Sequence, residues 1–200
     1  MAEKHVQRRL AAILAADVVG YSRLMEQDET GTLSALKARR RQVLEPLVSR
    51  HQGRVFKFTG DGVLAEFGSA VNAVQCAIDL QDGMAAANND SSGQRHIVLR
   101  IGVSLGDVMV DGRDLYGDGV NIAARLEGIA EPGGILLSGT AYDHVRNKVT
   151  AAFEDLGPRN LKNLAEPVRV YRVAGTPFVS MVVLKAIADK PSIAVFPSPT

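Results

Sequence analysis

The apolar residues of this chain fall into runs whose spacing predicts strands and helices. Residues 10–19 are apolar except for Asp17 and form a run of strand length. Gly20 follows this run, at the point where a helical pattern begins. An apolar run without alternation is typical of a strand that is covered on both faces. We therefore expect residues 10–19 to form a central strand.

A helical pattern follows over residues 28–51. Its apolar positions recur three and four residues apart, which predicts an amphipathic helix with a candidate kink at Pro46. Four basic residues lie between the apolar ones, and we interpret them as a solvated face rather than a nucleic-acid surface. They are Lys37, Arg39, Arg40 and Arg41.

Two short apolar segments, 54–58 and 63–67, flank the turn sequence TGDG at 59–62, which predicts a β-hairpin. Ser69 is placed to cap a second helix, whose apolar stripe extends to Met84. The polar stretch 88–93 predicts a loop.

Strict alternation of apolar and polar residues over 96–105 predicts a half-buried strand. We expect Gly106 to turn this strand into a hairpin whose partner includes Val108 and Val110, followed by a loop at 111–116. Residues 117–129 then read as a helix, which the sequence EPGG at 131–134 terminates.

The remaining pattern predicts a strand at 135–138, a helix at 140–146 and strands at 152–156 and 168–174. The order strand, helix, hairpin, helix, strand predicts an α/β (α+β sandwich) fold with a ferredoxin-like βαββαβ core and C-terminal additions. We place the domain at 1–174 and interpret 175–200 as a linker or the start of a further segment.

Composition narrows the classes of function. The 200 residues are 46% apolar and carry a formal net charge of +1, which does not favour binding to nucleic acid or anionic lipid. The single cysteine, Cys76, excludes an intrachain disulfide and favours a reducing, cytoplasmic location. Arg8-Arg9 and the following apolar run imitate a secretory signal, but the run is short and ends on Asp17; no stretch is long enough to span a membrane.

Two aspartates are candidates for metal binding. Asp17 ends an apolar strand, where an unpaired carboxylate is costly, and Asp61 lies in a turn between two strands. Taken singly, each has an ordinary structural explanation, as a helix cap or a turn residue. In a core of this topology the two positions approach each other, and paired carboxylates suit hard divalent cations.

Three sequence motifs carry a family resemblance. They are AADVVGYS at 15–22, KFTGDG at 57–62 and YGDGVNIAARLE at 116–127. In this order and at comparable spacing they resemble the catalytic domains of class III adenylyl and guanylyl cyclases, over about residues 9–174. The resemblance implies that Asp17, Asp61 and the backbone of Val18 hold two divalent cations, Mg²⁺ or Mn²⁺. It also implies a phosphate cradle formed by the backbone of Val18, Val19, Gly20, Tyr21 and Ser22.

The third motif places Asn121 and Arg125 four residues apart, on one face of a helix. Alone, such a pair is an ordinary surface feature. The resemblance implies that Asn121 orients the ribose and that Arg125 stabilises the α-phosphate in the transition state, for which a planar guanidinium is well suited. Two further matches are looser: Arg100 and Lys162 would lie near the phosphates.

The same resemblance implies which residues select the base of the nucleotide. Adenine presents one acceptor and one donor on its Watson–Crick edge, and the matching positions here hold Lys57, a donor, and Asp114, an acceptor. Guanylyl cyclases carry Glu and typically Cys there. The resemblance therefore implies an adenylate cyclase that converts ATP to cyclic AMP and pyrophosphate in a head-to-tail homodimer.

Two other functions remain as alternatives. One is a catalytically inactive cyclase-homology module that senses nucleotide or dimerises, which a missing aspartate or a missing Arg125 would favour. The other is a diguanylate cyclase, which requires a GG-[DE]-[DE]-F hairpin where this chain has TGDG.

Overall fold

One mixed sheet connects all the strands of the described structure. The computed structural model describes residues 7–89 and 96–175. The strands are β1 (Gln7–Val18), β2 (Gly53–Thr59), β3 (Gly62–Phe67), β4 (Leu99–Asp111), β5 (Asp114–Tyr116), β6 (Ile135–Ser138), β7 (Ala152–Arg159) and β8 (Val168–Ala174). The helices are α1 (Tyr21–Gln27), α2 (Glu29–Arg39), α3 (Glu45–Arg50), α4 (Ala70–Asn89), α5 (Asp118–Ile129) and α6 (Gly139–Val145), with a π-helical turn (Arg40–Leu44) between α2 and α3.

The strand order is β2-β3-β1-β4-β6-β8-β7, and β5 pairs with β4. β1 runs antiparallel to both β3 and β4, whereas β6 runs parallel to β4. Strands β1 to β4, with α1–α3 and α4 as connections, form the predicted βαββαβ core. β5, α5 and the C-terminal elements are additions to that core, as predicted.

β1 is buried on both faces, as its unbroken apolar run predicted. Leu14 and its even-numbered neighbours pack into the main core with α2, α3, α4 and α6. Ile13 and its odd-numbered neighbours pack on the other face against β4, β5 and α5. Because side chains alternate along a strand, Asp17 belongs to the α5 face of the sheet.

The predicted helix over 28–51 is divided. Asp28 caps α2 by accepting a hydrogen bond from the Gly31 N–H (2.9 Å), and a π-helical turn over Arg40–Leu44 joins α2 to α3. Pro46 lies in the first turn of α3. Proline offers no N–H and its ring crowds the carbonyl four residues earlier, and the backbone widens into the π-helical turn just before Pro46.

The basic run on this helix is not simply a solvated face, contrary to our expectation. Arg39 is buried, and its Nη2 donates to the carbonyl of Ala87 at 2.7 Å. Arg40 is half-buried and contacts the β2–β3 hairpin, while Lys37 and Arg41 are exposed. The long aliphatic part of arginine allows such burial when the guanidinium finds an acceptor.

β4 corrects two predictions. The strand continues straight through Gly106 to Asp111, so no hairpin begins there, and Gly102 and Ser104 are buried although the strand was expected to be half-exposed. The reason is α5, which covers the side that looked polar. A Cβ atom on Gly102 would lie 2.2 Å from the Ala123 carbonyl oxygen, and one on Gly106 would lie 3.1 Å from the Cα of Gly119.

Two predicted loops are shorter than expected. Residues 111–116 are a tight hairpin between β4 and β5, with Asp111 paired to Asp114. Asn88 belongs to α4 and is buried; its side chain exchanges two hydrogen bonds with the backbone of Ile97 (2.9 and 3.1 Å). Cys76 is fully buried in α4, and burial raises the pKa of its thiol to about 12, which fits a packing role.

The other predicted elements are present with small shifts of their ends: the β2–β3 hairpin, the Ser69 cap of α4, α5, β6, α6, β7 and β8. The segment proposed as a linker or further domain lies, beyond Gly175, outside the described residues. Most of the loop predicted at 88–93 also lies outside them.

Candidate active site

The two candidate metal aspartates lie side by side. In the β1–β3 ladder Ala16 pairs with Val63, so Asp17 reaches the turn of the β2–β3 hairpin, where Asp61 sits. Burial, and then the hydrogen bond and charge of Asp17, raise the pKa of Asp61 to about 6. The structure therefore brings together two carboxylates from sequence positions 44 residues apart.

Arg100 lies beside Asp17 on the neighbouring strand, β4. The two residues are direct partners in the antiparallel β1–β4 ladder, and Arg100 Nη2 donates to Asp17 Oδ2 at 2.7 Å. The same nitrogen lies 3.5 Å from Glu127 Oε1. One guanidinium thus compensates two carboxylates in a partly buried setting.

Glu127 is a site residue that the sequence reasoning did not single out. Burial, followed by the charge of Asp17, raises the pKa of Glu127 to about 7, although Arg100 opposes this change. Within the described residues Glu127 Oε1 has no hydrogen-bond partner. The available signal was its spacing: Glu127 lies four residues after Ala123, on the face of α5 that packs against β4.

The donor set at Asp17 and Asp61 fits a hard divalent cation. The described residues contain no cluster of three or more His, Cys, Asp or Glu side chains arranged to hold a metal. Magnesium, however, is commonly held by one or two carboxylates together with water and substrate phosphates. Asp17 raises the pKa of Asp61, and a cation shared by the two carboxylates would relieve this repulsion, so Asp17, Asp61 and the Val18 backbone are suitable ligands.

The predicted phosphate cradle lies where β1 passes into α1. The N–H of Val19 already donates to the Val98 carbonyl at 2.9 Å, and Val18 is buried. Gly20 adopts a left-handed conformation (φ 66°), which turns the chain sharply into α1. The first amides of a helix have no partner within it, so Gly20, Tyr21 and Ser22 remain the candidates for binding an anion.

Lys57 and Asp114 form a pair. β2 and β5 are separated by three strands in the sheet order, yet Lys57 Nζ lies 3.6 Å from Asp114 Oδ2. Tyr116 adjoins both: its hydroxyl donates to Asp114 at 3.3 Å, and Lys57 Nζ lies 5.7 Å from its ring centre. The end of β4 and β5 therefore curl back toward β2 and place a donor beside an acceptor.

Asn121 and Arg125 lie on the outer face of α5. Both are exposed, whereas Ala123 and Leu126 on the opposite face are fully buried. Ile129, one further turn along, is 52% exposed. This face of α5 is therefore accessible from outside the chain. Lys162 is also exposed, in the connection between β7 and β8.

A cavity of about 600 Å³ lies beyond the C-terminal end of α5, between that helix and β6, β7 and β8. Ile129, Leu136 and Leu161 form part of its apolar wall. None of the predicted site residues lines it. The chemically distinctive groups therefore lie outside this cavity.

Comparison with known proteins shows which protein family has this sequence pattern. The family described as adenylate and guanylate cyclase catalytic domain matches residues 4–175. A Rhizobium meliloti (strain 1021) protein named "Putative adenylate cyclase 3" is 54% identical over 98% of this chain, and an adenylate cyclase of Streptomyces coelicolor is 34% identical over 70% of it. This chain spans only 35% of the length of each of these relatives.

Solved structures of cyclases have the same fold as this chain. An adenylate/guanylate cyclase/hydrolase from Silicibacter pomeroyi superposes with a TM-score of 0.78 at 42% identity, covering 84% of this chain and 98% of that one. The adenylyl cyclase CyaB from P. aeruginosa (TM-score 0.78, 23% identity, 86% and 97% coverage) and the guanylyl cyclase Cya2 (0.74, 24%, 86% and 95%) share the fold. Because both cyclase types have this fold, the fold alone does not choose the base. None of the helices in the described ranges combines the length and hydrophobicity of a membrane span.

Proposed function

Because this chain belongs to the family of adenylate and guanylate cyclase catalytic domains, we propose that it converts ATP into 3′,5′-cyclic AMP and pyrophosphate. The observation that carries the choice of ATP is the Lys57–Asp114 pair, with 3.6 Å between Nζ and Oδ2. Lysine can only donate and ionised aspartate can only accept, which matches N1 and the N6 amino group of adenine. Two relatives bear names that include adenylate cyclase, which agrees with this choice.

The reaction needs a nucleophile and a leaving group in line. The 3′-oxygen of ATP bonds to its own α-phosphorus, the bond to the oxygen that leads to the β-phosphate breaks, and the hydroxyl proton leaves to water or to Asp17. Divalent cations bound by Asp17, Asp61 and the Val18 backbone would activate the hydroxyl and shield the pyrophosphate charge. Asp17 and Asp61 contribute negative charge and fixed oxygens to that site.

Arg125 and Arg100 are the arginines that could balance the negative charge of the phosphates. We propose that Arg125 stabilises the charge that develops on the α-phosphate and that Asn121 orients the ribose, because both are exposed on α5 at matching spacing. Arg100 lies beside Asp17 and is placed to reach the phosphates when a cation takes over the compensation of that carboxylate. Lys162 is a further candidate for the γ-phosphate.

We propose that the site is shared between two protomers in a homodimer. Lys57, Asp114, Asn121 and Arg125 of one protomer would face Asp17, Asp61 and Arg100 of its partner. The exposure of Asn121 and Arg125 supports this arrangement, because an arginine that acts within its own protomer would be expected to contact the carboxylates of that protomer. A twofold axis would then generate two equivalent sites.

We propose that residues 1–174 are the catalytic domain, that 175–200 lead into a further segment, and that the reaction takes place in the cytoplasm. The length of the relatives, of which this chain covers 35%, supports the existence of further segments in proteins of this kind. The single buried cysteine agrees with a reducing compartment.

The decisive experiment incubates the purified chain with ATP or GTP and with Mg²⁺ or Mn²⁺, and identifies the cyclic product by chromatography. We expect cyclic AMP from ATP, with GTP a poor substrate. Cyclic GMP from GTP alone would overturn the assignment of the base. Nucleotide binding without any cyclic product would instead favour a sensing module.

A further inference from the structure

Arg40 makes two contacts with the hairpin that carries Asp61. Its Nη2 donates to the carbonyl oxygen of Gly60, and its guanidinium carbon lies 4.5 Å from the ring centre of Phe58. Phe58 is the last but one residue of β2, and Gly60 is the residue before Asp61. Arg40 therefore contacts the hairpin both at strand β2 and at the turn.

Arg40 lies at the start of the π-helical turn that joins α2 to α3. Arg39 is anchored in the core through its bond to Ala87, and the turn that Pro46 requires begins at the next residue. A π-helical turn rotates the side chains that precede it relative to those that follow. Arg40, the first residue of this turn, contacts the β2–β3 hairpin, while its neighbour Arg41 is exposed.

The Thr59–Gly62 strand pair closes the base of the hairpin turn, and Gly62 is buried. Thr59 and Gly60 are exposed, and Gly60 has a φ of 70°, a conformation that glycine adopts at low cost and leaves easily. A Cβ atom at Gly60 would meet nothing within 4 Å. Arg40 therefore adds a restraint at the exposed tip of the turn, next to the residue that carries the second carboxylate.

We propose that Arg40 is a positioning residue that holds the turn over residues 59–62, so that the Asp61 carboxylate faces Asp17. The proposal rests on the proposed function only for its consequence in cation binding. The restraint of the turn itself does not depend on the proposed function. The positive charge of Arg40 also favours the ionised form of Asp61, against the effect of burial.

Hydrogen exchange tests the restraint directly. Arg40→Met keeps most of the side-chain volume but removes the donor and the charge, and Arg41→Met is the matched control one residue along. We expect exchange at the amides of residues 59–62 to rise about tenfold in Arg40→Met, since a charge-assisted hydrogen bond is lost. Arg41→Met should exchange like the unchanged chain. Equal exchange in the two variants would overturn the proposal.

Binding of Mn²⁺ alone, followed by electron paramagnetic resonance of the free ion, tests the consequence. We expect about tenfold weaker binding in Arg40→Met, as for other residues that orient metal ligands, with unchanged binding in Arg41→Met. Arg40→Lys, which keeps the charge but loses the planar stacking on Phe58, should fall between them. Weaker Mn²⁺ binding with unchanged exchange would overturn the proposal, because the loss of binding would then not come from release of the turn.

The two measurements separate this proposal from the proposed function. If the unchanged chain forms no cyclic nucleotide and binds no Mn²⁺, the proposed function fails. The exchange of residues 59–62 in Arg40→Met against Arg41→Met still decides whether Arg40 restrains the turn. Melting temperatures of the three variants should agree closely, because Arg40 is only half-buried.

Discussion

Lys57 and Asp114 show how much of the proposed specificity depends on two side chains. They come from distant strands and meet at 3.6 Å, close to the Tyr116 ring. A base edge that inserts between them would exchange their mutual ion pair for hydrogen bonds to adenine. An exposed pair of this kind contributes little to stability, so its replacement should act on substrate choice more than on folding.

The prediction at this scale concerns the double variant Lys57→Glu, Asp114→Cys. It replaces the donor and acceptor by the residues that the resemblance assigns to guanylyl cyclases, and each unpaired group at the base should cost about 1–3 kcal/mol of ATP binding. We expect kcat/KM for ATP to fall and the ratio of GTP to ATP turnover to rise, measured with both nucleotides under the same conditions. An unchanged ratio would mean that other residues choose the base.

Asp17, Arg100 and Glu127 form a second group of residues whose charges depend on one another. Arg100 lies 2.7 Å from Asp17 and 3.5 Å from Glu127, so one cation balances two carboxylates. Burial and Asp17 raise the pKa of Glu127 to about 7. If Asp17 holds a divalent cation, as proposed, Glu127 is the remaining carboxylate beside Arg100.

Among the elements, the pairing of α5 with β4 positions the exposed face that carries Asn121 and Arg125. The helix lies directly on the strand because glycines remove the side chains between them, at Gly102 and at the Gly106–Gly119 contact. Its distance from the sheet is therefore set by backbone contact, which leaves little room for adjustment.

We predict that Gly102→Ala displaces α5. The added methyl group would lie 2.2 Å from the Ala123 carbonyl oxygen and 2.4 Å from the Glu127 nitrogen, both of which are backbone atoms. Overpacking of this kind costs about 1–3 kcal/mol, so the free energy of unfolding in a urea titration should fall by that amount, and cyclase activity should fall with it.

Gly128→Ala is the matched control on the same helix. A Cβ atom there meets nothing within 4 Å, and alanine is the better helix former, so stability should rise by about 0.5–1 kcal/mol. If Gly102→Ala were as stable as the unchanged chain, close contact with the strand would not be what positions α5.

For the whole molecule, the distinctive claim is that each active site is shared between two protomers. Asp17→Ala and Arg125→Ala homodimers should each be nearly inactive, since each lacks an essential group at both sites. A heterodimer of the two variants collects both changes in one site and leaves the other intact.

The measurement uses the two variants co-expressed with different tags, so that only the mixed dimer is purified. We expect about half of the activity of the unchanged dimer, because one of two equivalent sites is complete. The two parental homodimers, purified in the same way, are the controls. A heterodimer as inactive as its parents would place the whole site within one protomer and refute the shared-site proposal.

Sequence alone determined the features that depend on local pattern. The unbroken apolar run of β1, the TGDG hairpin and the periodic face of α5 each appear where expected, because burial on one face or two leaves a periodic trace in the chain. The same patterns placed Asp17 at a strand end and Asp61 in a turn. Their roles, and those of Asn121 and Arg125, rest on the family motifs.

Tertiary structure decided whatever depends on which element lies opposite. Gly106 reads as a turn in sequence but is a contact point for Gly119, and Arg39 reads as solvated but finds the Ala87 carbonyl in the core. The Asp17–Arg100 pairing follows from strand register, and Glu127 joins it only because α5 packs against β4. Periodicity records whether a residue is buried but not by what, so contacts between distant segments appear only once the chain is folded.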